Sequence, residues 1–166
     1  MDKNENRGSA AGEPVDLETL PGHLIRRLQQ IAVAAFLSET ADTGITPIQF
    51  AALQFVRDNP GLDQRRLAGA IALDTSTLAG VLDRLESRGL VQRGASPKDR
   101  RVRLLALTRE GRLMLDELLP DVRRAQERIL EPLTKRDRAE FMRMLLTLVK
   151  ANNELSRAPG EALDAT

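Results

Sequence analysis

The sequence predicts a mainly α-helical chain carrying one small β-hairpin, and three observations predict it. Tyrosine and tryptophan are absent and only 4 phenylalanines occur, while Leu, Ala and Arg dominate, a vocabulary of helices. Apolar residues recur at helical spacing through most of the chain, and several of these runs open on a capping residue. Between two such runs lie LVQR (90–93) and VRLLAL (102–107), short enough to be strands and joined by the turn-rich GASPKDR.

The 166 residues fit one domain with helical extensions, enough chain to bury a core of its own. An apolar fraction of 42% and a charged fraction of 30% are those of a folded globular protein. No apolar run is long enough for a transmembrane helix. The start, MDKNENRGSAAGEP, lacks the basic-then-apolar order of a secretory signal, so a cytoplasmic protein is expected. With no cysteine and 1 histidine, neither a disulfide, a thiol switch nor a histidine-rich metal site is expected, and no cofactor. The net charge of +1 is unevenly spread: −3 over residues 1–56, +5 over 57–112 and −1 over 113–166. An internal basic block is either a nucleic-acid footprint or a solvated face.

Residues 1–16 and 156–166 are polar, without apolar period, and read as disordered tails. A first helix opens near Pro21, with Leu20, Leu24, Leu28, Ile31 and Ala35 as its stripe. TADTGI breaks it, and Thr46-Pro47-Ile48-Gln49 starts a second helix with a capping box. That helix runs through Leu53, Phe55 and Val56 to Asn59-Pro60-Gly61. Asp63 caps a short helix, DQRRLAGAI, and either Asp74 or Thr75 caps the next, DTSTLAGVLDRLESRG. Leu78, Leu82 and Leu85 form the inward face of this second member, and Gly89 ends it. After the hairpin, Thr108 caps a long helix with Leu115, Leu118, Val122, Ala125 and Ile129 inward and a kink expected at Pro120. Thr134 opens a last helix with Phe141, Leu145 and Leu148 as its stripe.

A tight helix pair followed directly by a hairpin is the order of a winged helix-turn-helix, whose second helix enters the DNA major groove. Thr75, Ser76 and Thr77, at the exposed start of that helix, suit base edges or thymine methyls; equally, they are ordinary cap residues. Arg84 and Arg88 stand ready for phosphate, or pair with Asp83 or Glu86 as a solvated flank. Arg65 and Arg66 are further phosphate candidates. The hairpin tip presents Lys98, Arg100 and Arg101, and an arginine there suits a narrow minor groove. Asp99, an acid within this basic cluster, is read as a brace that fixes the direction of Arg101.

LDRLESRGLVQR (82–93), SPKDRRVRLLALTREG (96–111) and TPIQFAALQFV (46–56) resemble the MarR family, the multiple-antibiotic-resistance-regulator type of bacterial transcription factor. Asp99 and Arg101, the Leu107-Thr108 pair and Gly111 match its wing-to-helix pattern, and the likeness in element order covers about residues 20–155. The resemblance implies an obligate homodimer built by the first helix and the last two, binding a pseudo-palindromic operator of double-stranded DNA. The division is then 17–45 for the N-terminal dimerisation helix and linker, 46–108 for the winged lobe, and 109–155 for the C-terminal dimerisation helices. It further implies repression, released by a small ligand or oxidant. Ala79-Gly80 stands where many relatives carry Thr-Arg, which removes arginine readout from that position.

Without cysteine the oxidant branch falls away, leaving a small organic effector. In relatives such ligands, often aromatic carboxylates, sit between the dimer helices and the winged lobe. His23 and Arg27 share a face of the first helix, where the guanidinium suits a carboxylate and the imidazole a ring hydroxyl or nitrogen. Phe50 and Phe55 are the expected apolar wall; the alternative leaves His23 and Arg27 at the dimer interface or in solvent. LPGHLIRRLQQIAVAAF resembles the branch that controls breakdown of aromatic or N-heteroaromatic acids, pointing to a hydroxylated benzoate or nicotinate. The competing reading is a winged helix that binds protein without sequence-specific DNA binding. An enzyme is not expected, because no Ser/His/Asp set, glycine-rich phosphate loop or metal constellation is legible.

Overall fold

The computed structural model describes residues 15–96, 102–156 and 158–160. The wing-tip residues Lys98, Asp99, Arg100 and Arg101 lie outside the described residues, as do residues 1–14 of the expected N-terminal tail.

Helix α1 (Pro21–Glu39) has proline in its first turn, where no backbone donor is missed. It ends as buried Thr40 donates its hydroxyl to Phe36 O at 2.8 Å. Helix α2 (Pro47–Asp58) carries both halves of the expected capping box: Gln49 N donates to Thr46 Oγ1 at 3.3 Å and Thr46 N to Gln49 Oε1 at 3.0 Å. Helices α3 (Gln64–Ala70) and α4 (Thr75–Ser87) are capped by Asp63 and Asp74, which settles the choice between Asp74 and Thr75. The turn between them holds Ala72 in left-handed backbone, φ 51°, with Leu73 N donating to Ala68 O at 2.9 Å and Ala72 N to Gly69 O at 3.1 Å. That is a Schellman ending with alanine where glycine is usual. α4 ends the same way on Gly89, φ 69°, with Leu90 N bonded to Leu85 O at 2.9 Å.

Strands β1 (Val91–Ala95) and β2 (Arg103–Leu107) pair antiparallel, Val91 opposite Leu107 and Ala95 opposite Arg103. The stretch before α3 joins the other edge of β2, since Leu105 N donates to Leu62 O at 2.8 Å and Asp63 forms a bridge with Leu104. Helix α5 (Arg109–Leu130), capped by Thr108, continues through Pro120, and α6 (Lys135–Ala151) is capped by Thr134.

The core lies where α2, α3, α4, β2 and the first half of α5 converge, around fully buried Leu53, Leu67, Leu78, Leu82, Leu85, Leu105, Leu115 and Leu118. α1 packs along α5, and Arg124 and Arg128 of α5 reach Glu39 at 3.2 and 3.3 Å. α6 has no buried residue and packs substantially only on the turn after it, Asn153–Leu155. The stretch read as a C-terminal tail begins with a clasp: Gly160 N donates to Asn153 Oδ1 at 2.8 Å and Asn153 Nδ2 to Gly160 O at 3.1 Å. This holds Gly160 against Ala72 of the α3–α4 turn. Among the described residues no helix is long and apolar enough to cross a membrane.

Candidate nucleic-acid interface and effector site

Leu78, Val81, Leu82 and Leu85 fasten α4 to the core and leave its first turn, Thr75 to Thr77, in solvent. Asp74 organises that turn. Its Oδ1 accepts Ser76 Oγ at 2.5 Å and Thr77 N at 2.8 Å, and its Oδ2 accepts Thr77 Oγ1 at 2.7 Å. The Ser76 hydroxyl first, then the hydroxyl and amide of Thr77, hold the Asp74 carboxyl well below the usual carboxylate range. Gln64 Nε2 ties α3 to the same turn through Thr75 O at 3.3 Å.

The arginines divide into two groups. Arg65, Arg66 and Arg84 are exposed, and their guanidinium groups have no partner among the described residues. Thr77, Gly80 and Arg84 fall on one line along α4. A side chain at Gly80 would stand 4.0 Å from an Arg84 terminal nitrogen, so the guanidinium leans back over the glycine toward Thr77. Arg88 does not pair with Asp83 or Glu86. It donates instead to Thr43 O at 2.8 Å and Gly44 O at 3.2 Å, and so holds the loop that leads into α2.

The acids Asp83 and Glu86 belong to Arg93, a residue the sequence reading did not single out. From β1 it reaches Asp83 at 2.7 Å and Glu86 at 2.8 Å, fixing the hairpin to the outer flank of α4. The available signal was two acids three apart on a helix that runs straight into a strand bearing arginine. At the other end of the hairpin, Thr108 donates to Gly89 O at 2.6 Å and accepts Gly111 N at 2.9 Å. The strand, the end of α4 and the start of α5 are thereby knotted together. Ser96 N donates to Val102 O at 2.9 Å and closes the hairpin just before its tip.

The four candidate effector residues are not gathered into one place within a protomer. His23 is half-buried and Arg27 exposed on the first half of α1. Phe50 meets the other end of that helix, its ring 5.9 Å from that of buried Phe36. Thirteen residues of helix separate His23 from Phe36, about 20 Å of rise. Phe50 and Phe55 point about 140° apart around α2, so they do not form one wall. Both pack against the core, which accounts for them without a ligand.

A tight helix pair with a solvent-facing second member, flanked by a hairpin braced to it, makes the segment from α2 to β2 a winged helix-turn-helix lobe. Comparison with known proteins agrees. A model of the MarR family matches residues 43–102. The transcriptional repressor NicR of Pseudomonas putida is 32% identical over 139 residues, spanning 84% of this chain and 88% of its own. Among solved structures, the repressor CouR bound to a 23-mer DNA duplex is 33% identical with a TM-score of 0.76, covering 82% of this chain and 99% of that one. BpsR of Bordetella bronchiseptica, whose DNA binding is regulated by 6-hydroxynicotinic acid, is 30% identical with a TM-score of 0.77, covering 82% and 97%. The chain belongs to the MarR family of dimeric, DNA-binding transcriptional repressors.

Proposed function

We propose that this repressor sits as a homodimer on a pseudo-palindromic operator and leaves it when a small aromatic carboxylate binds. A hydroxylated benzoate or nicotinate is the effector class. The observation that carries the reading is the solvent-facing first turn of α4, presented beside a hairpin that Arg93 locks to the same helix. Thr75, Ser76 and Thr77 meet base edges. Arg84, Arg65 and Arg66, whose charges are uncommitted among the described residues, meet phosphates. Lys98, Arg100 and Arg101 extend the footprint along the wing, with Asp99 aiming Arg101, while Arg88 acts one step back as a brace of the lobe. The repressor works in the cytoplasm, where its operator lies.

The effector reading is supported by the regulation of BpsR by 6-hydroxynicotinic acid and by the chemistry of His23 and Arg27. It assigns those two residues the carboxylate and ring substituent, with the apolar wall completed at the cleft toward the lobe rather than by Phe50 and Phe55 together. The test is titration of a palindromic duplex with and without a panel of hydroxybenzoates and hydroxynicotinates. One member should release the DNA and raise the melting temperature of the free protein. His23→Ala and Arg27→Ala should keep operator affinity and need at least tenfold more of that acid for release. Variants that respond like the parent would place the effector elsewhere.

A further inference from the structure

We infer that Asp74 fixes the hydrogen-bonding polarity with which Ser76 and Thr77 read DNA, so that both present only acceptors to the bases. This rests on the DNA-reading role of the first turn of α4 and adds the chemistry of what it reads.

A serine or threonine hydroxyl has one proton and two lone pairs, and rotates its proton to suit its surroundings. Left free, it reads donors and acceptors alike and therefore discriminates poorly. Here neither hydroxyl is free. Ser76 Oγ lies 2.5 Å from Asp74 Oδ1 and Thr77 Oγ1 lies 2.7 Å from Asp74 Oδ2. An ionised carboxylate has no proton to offer, so each contact consumes the proton of the hydroxyl. The Thr77 amide, at 2.8 Å from Oδ1, holds the carboxylate in place as the helix cap. Both side chains remain exposed, which leaves their lone pairs, and the methyl of Thr77, to face outward.

In the major groove only the exocyclic amino groups, N6 of adenine and N4 of cytosine, donate. O6 and N7 of guanine and O4 of thymine accept, and meet nothing useful on a hydroxyl whose proton is engaged. Ser76 and Thr77 therefore select adenine or cytosine on the strand they face, and the Thr77 methyl suits a neighbouring thymine methyl. Asp74 is a positioning residue: it sets specificity without touching DNA. Its three donors also disperse a negative charge that would otherwise stand unscreened beside the phosphates.

The experiment selects operators from randomised duplexes with the full-length protein, then repeats the selection with Ser76→Ala, Thr77→Val and Asp74→Asn. The positions whose preference relaxes in Ser76→Ala or Thr77→Val should carry adenine or cytosine in the parent's site. Replacing that adenine by purine, or that cytosine by 2-pyrimidinone, removes the amino group and should cost the parent roughly tenfold in affinity. The same replacement should cost the matching variant nothing. Asp74→Asn still caps the helix through its remaining oxygen, so its melting temperature should stay near that of the parent. The amide nitrogen in place of Oδ2 donates to the Thr77 hydroxyl, frees that hydroxyl's proton and should alter the base selected opposite Thr77. If the sensitive positions carry guanine or thymine and respond to 7-deaza-guanine, or if Asp74→Asn selects the parental site, the inference is overturned. A parent that selects a site indifferent to all three substitutions overturns it too, while leaving the operator reading intact. A parent that selects no sequence overturns both. The base-analogue measurements on the parent decide the matter even where a variant fails to fold.

Discussion

Gly111 shows how one missing methyl group shapes the molecule. A Cβ at this position would lie 2.0 Å from Leu90 O, a backbone atom with nowhere to move because Thr108 N also bonds to it at 3.2 Å. Gly111→Ala should therefore destabilise the fold by about 2–3 kcal/mol or more, measured as a fall in the denaturant midpoint with unchanged slope. The glycine was marked in the sequence by its place after Leu-Thr, but the reason for it, a strand start pressed against a helix start, is a distance no sequence prints. Ala72 is the opposite case. Nothing marks an alanine as unusual, yet its φ of 51° carries the left-handed cost of a Cβ. Ala72→Gly relieves that cost and loses some unfolded-state restriction in return. The expected balance is a gain of about 0.5–1 kcal/mol, read from the same denaturation curves. A loss would mean that the methyl's contact with the C-terminal clasp outweighs the strain.

The hairpin and α4 act as one unit because Arg93 spans them. Its side chain is 22% exposed, against 65% for Asp83 and 41% for Glu86, so the ion pairs are largely screened and contribute about 1 kcal/mol or less. Arg93→Ala should thus change the melting temperature little. Its effect belongs on the DNA: with the hairpin unbraced, operator affinity should drop about tenfold or more, measured by titration of a labelled duplex at fixed salt. An Arg93→Lys variant, which keeps charge but not the fork between two acids, should recover only part of it. Most of the segments here were legible because their signals are local. Thr46, Thr108 and Thr134 cap the helices they were expected to cap, and Gly89 ends the helix it was expected to end. What stayed hidden joins one element to another. Arg93 to Asp83 and Glu86, Arg88 to the carbonyls of Thr43 and Gly44, and Leu105 to Leu62 each depend on folding already achieved. Phe50 and Phe55, expected as an apolar wall, lie against the core on two sides of α2, which accounts for their apolar character.

The single chain leaves apolar surface that its own fold never covers. On α1, Leu24, Ile25 and Ile31 are 46%, 56% and 53% exposed, and on α6 Leu146, Leu148 and Val149 are 52%, 54% and 60% exposed. The stripes were readable as stripes, but what they face came only from the family resemblance, because half of the answer lies on a second copy. α5 marks the contrast: Leu115, Leu118, Val122 and Ala125, from the same kind of reading, are buried within the chain. An uncovered face on both terminal helices fits an isologous dimer in which they enclose one another. Leu148→Glu tests this directly. Burying an unpaired carboxylate in place of a leucine should raise the dimer dissociation constant at least a hundredfold, visible by sedimentation equilibrium, while the winged lobe keeps its own core. The consequence on DNA has a distinct signature. A parental dimer spans half-sites about 34–36 Å apart, one turn of duplex. The monomeric variant should lose its preference for the palindrome over a single half-site. The slope of log affinity against log salt should fall to about half, since half the phosphates are then contacted. A variant that stays dimeric, or keeps the full salt slope, would mean that α6 lies outside the contact between copies.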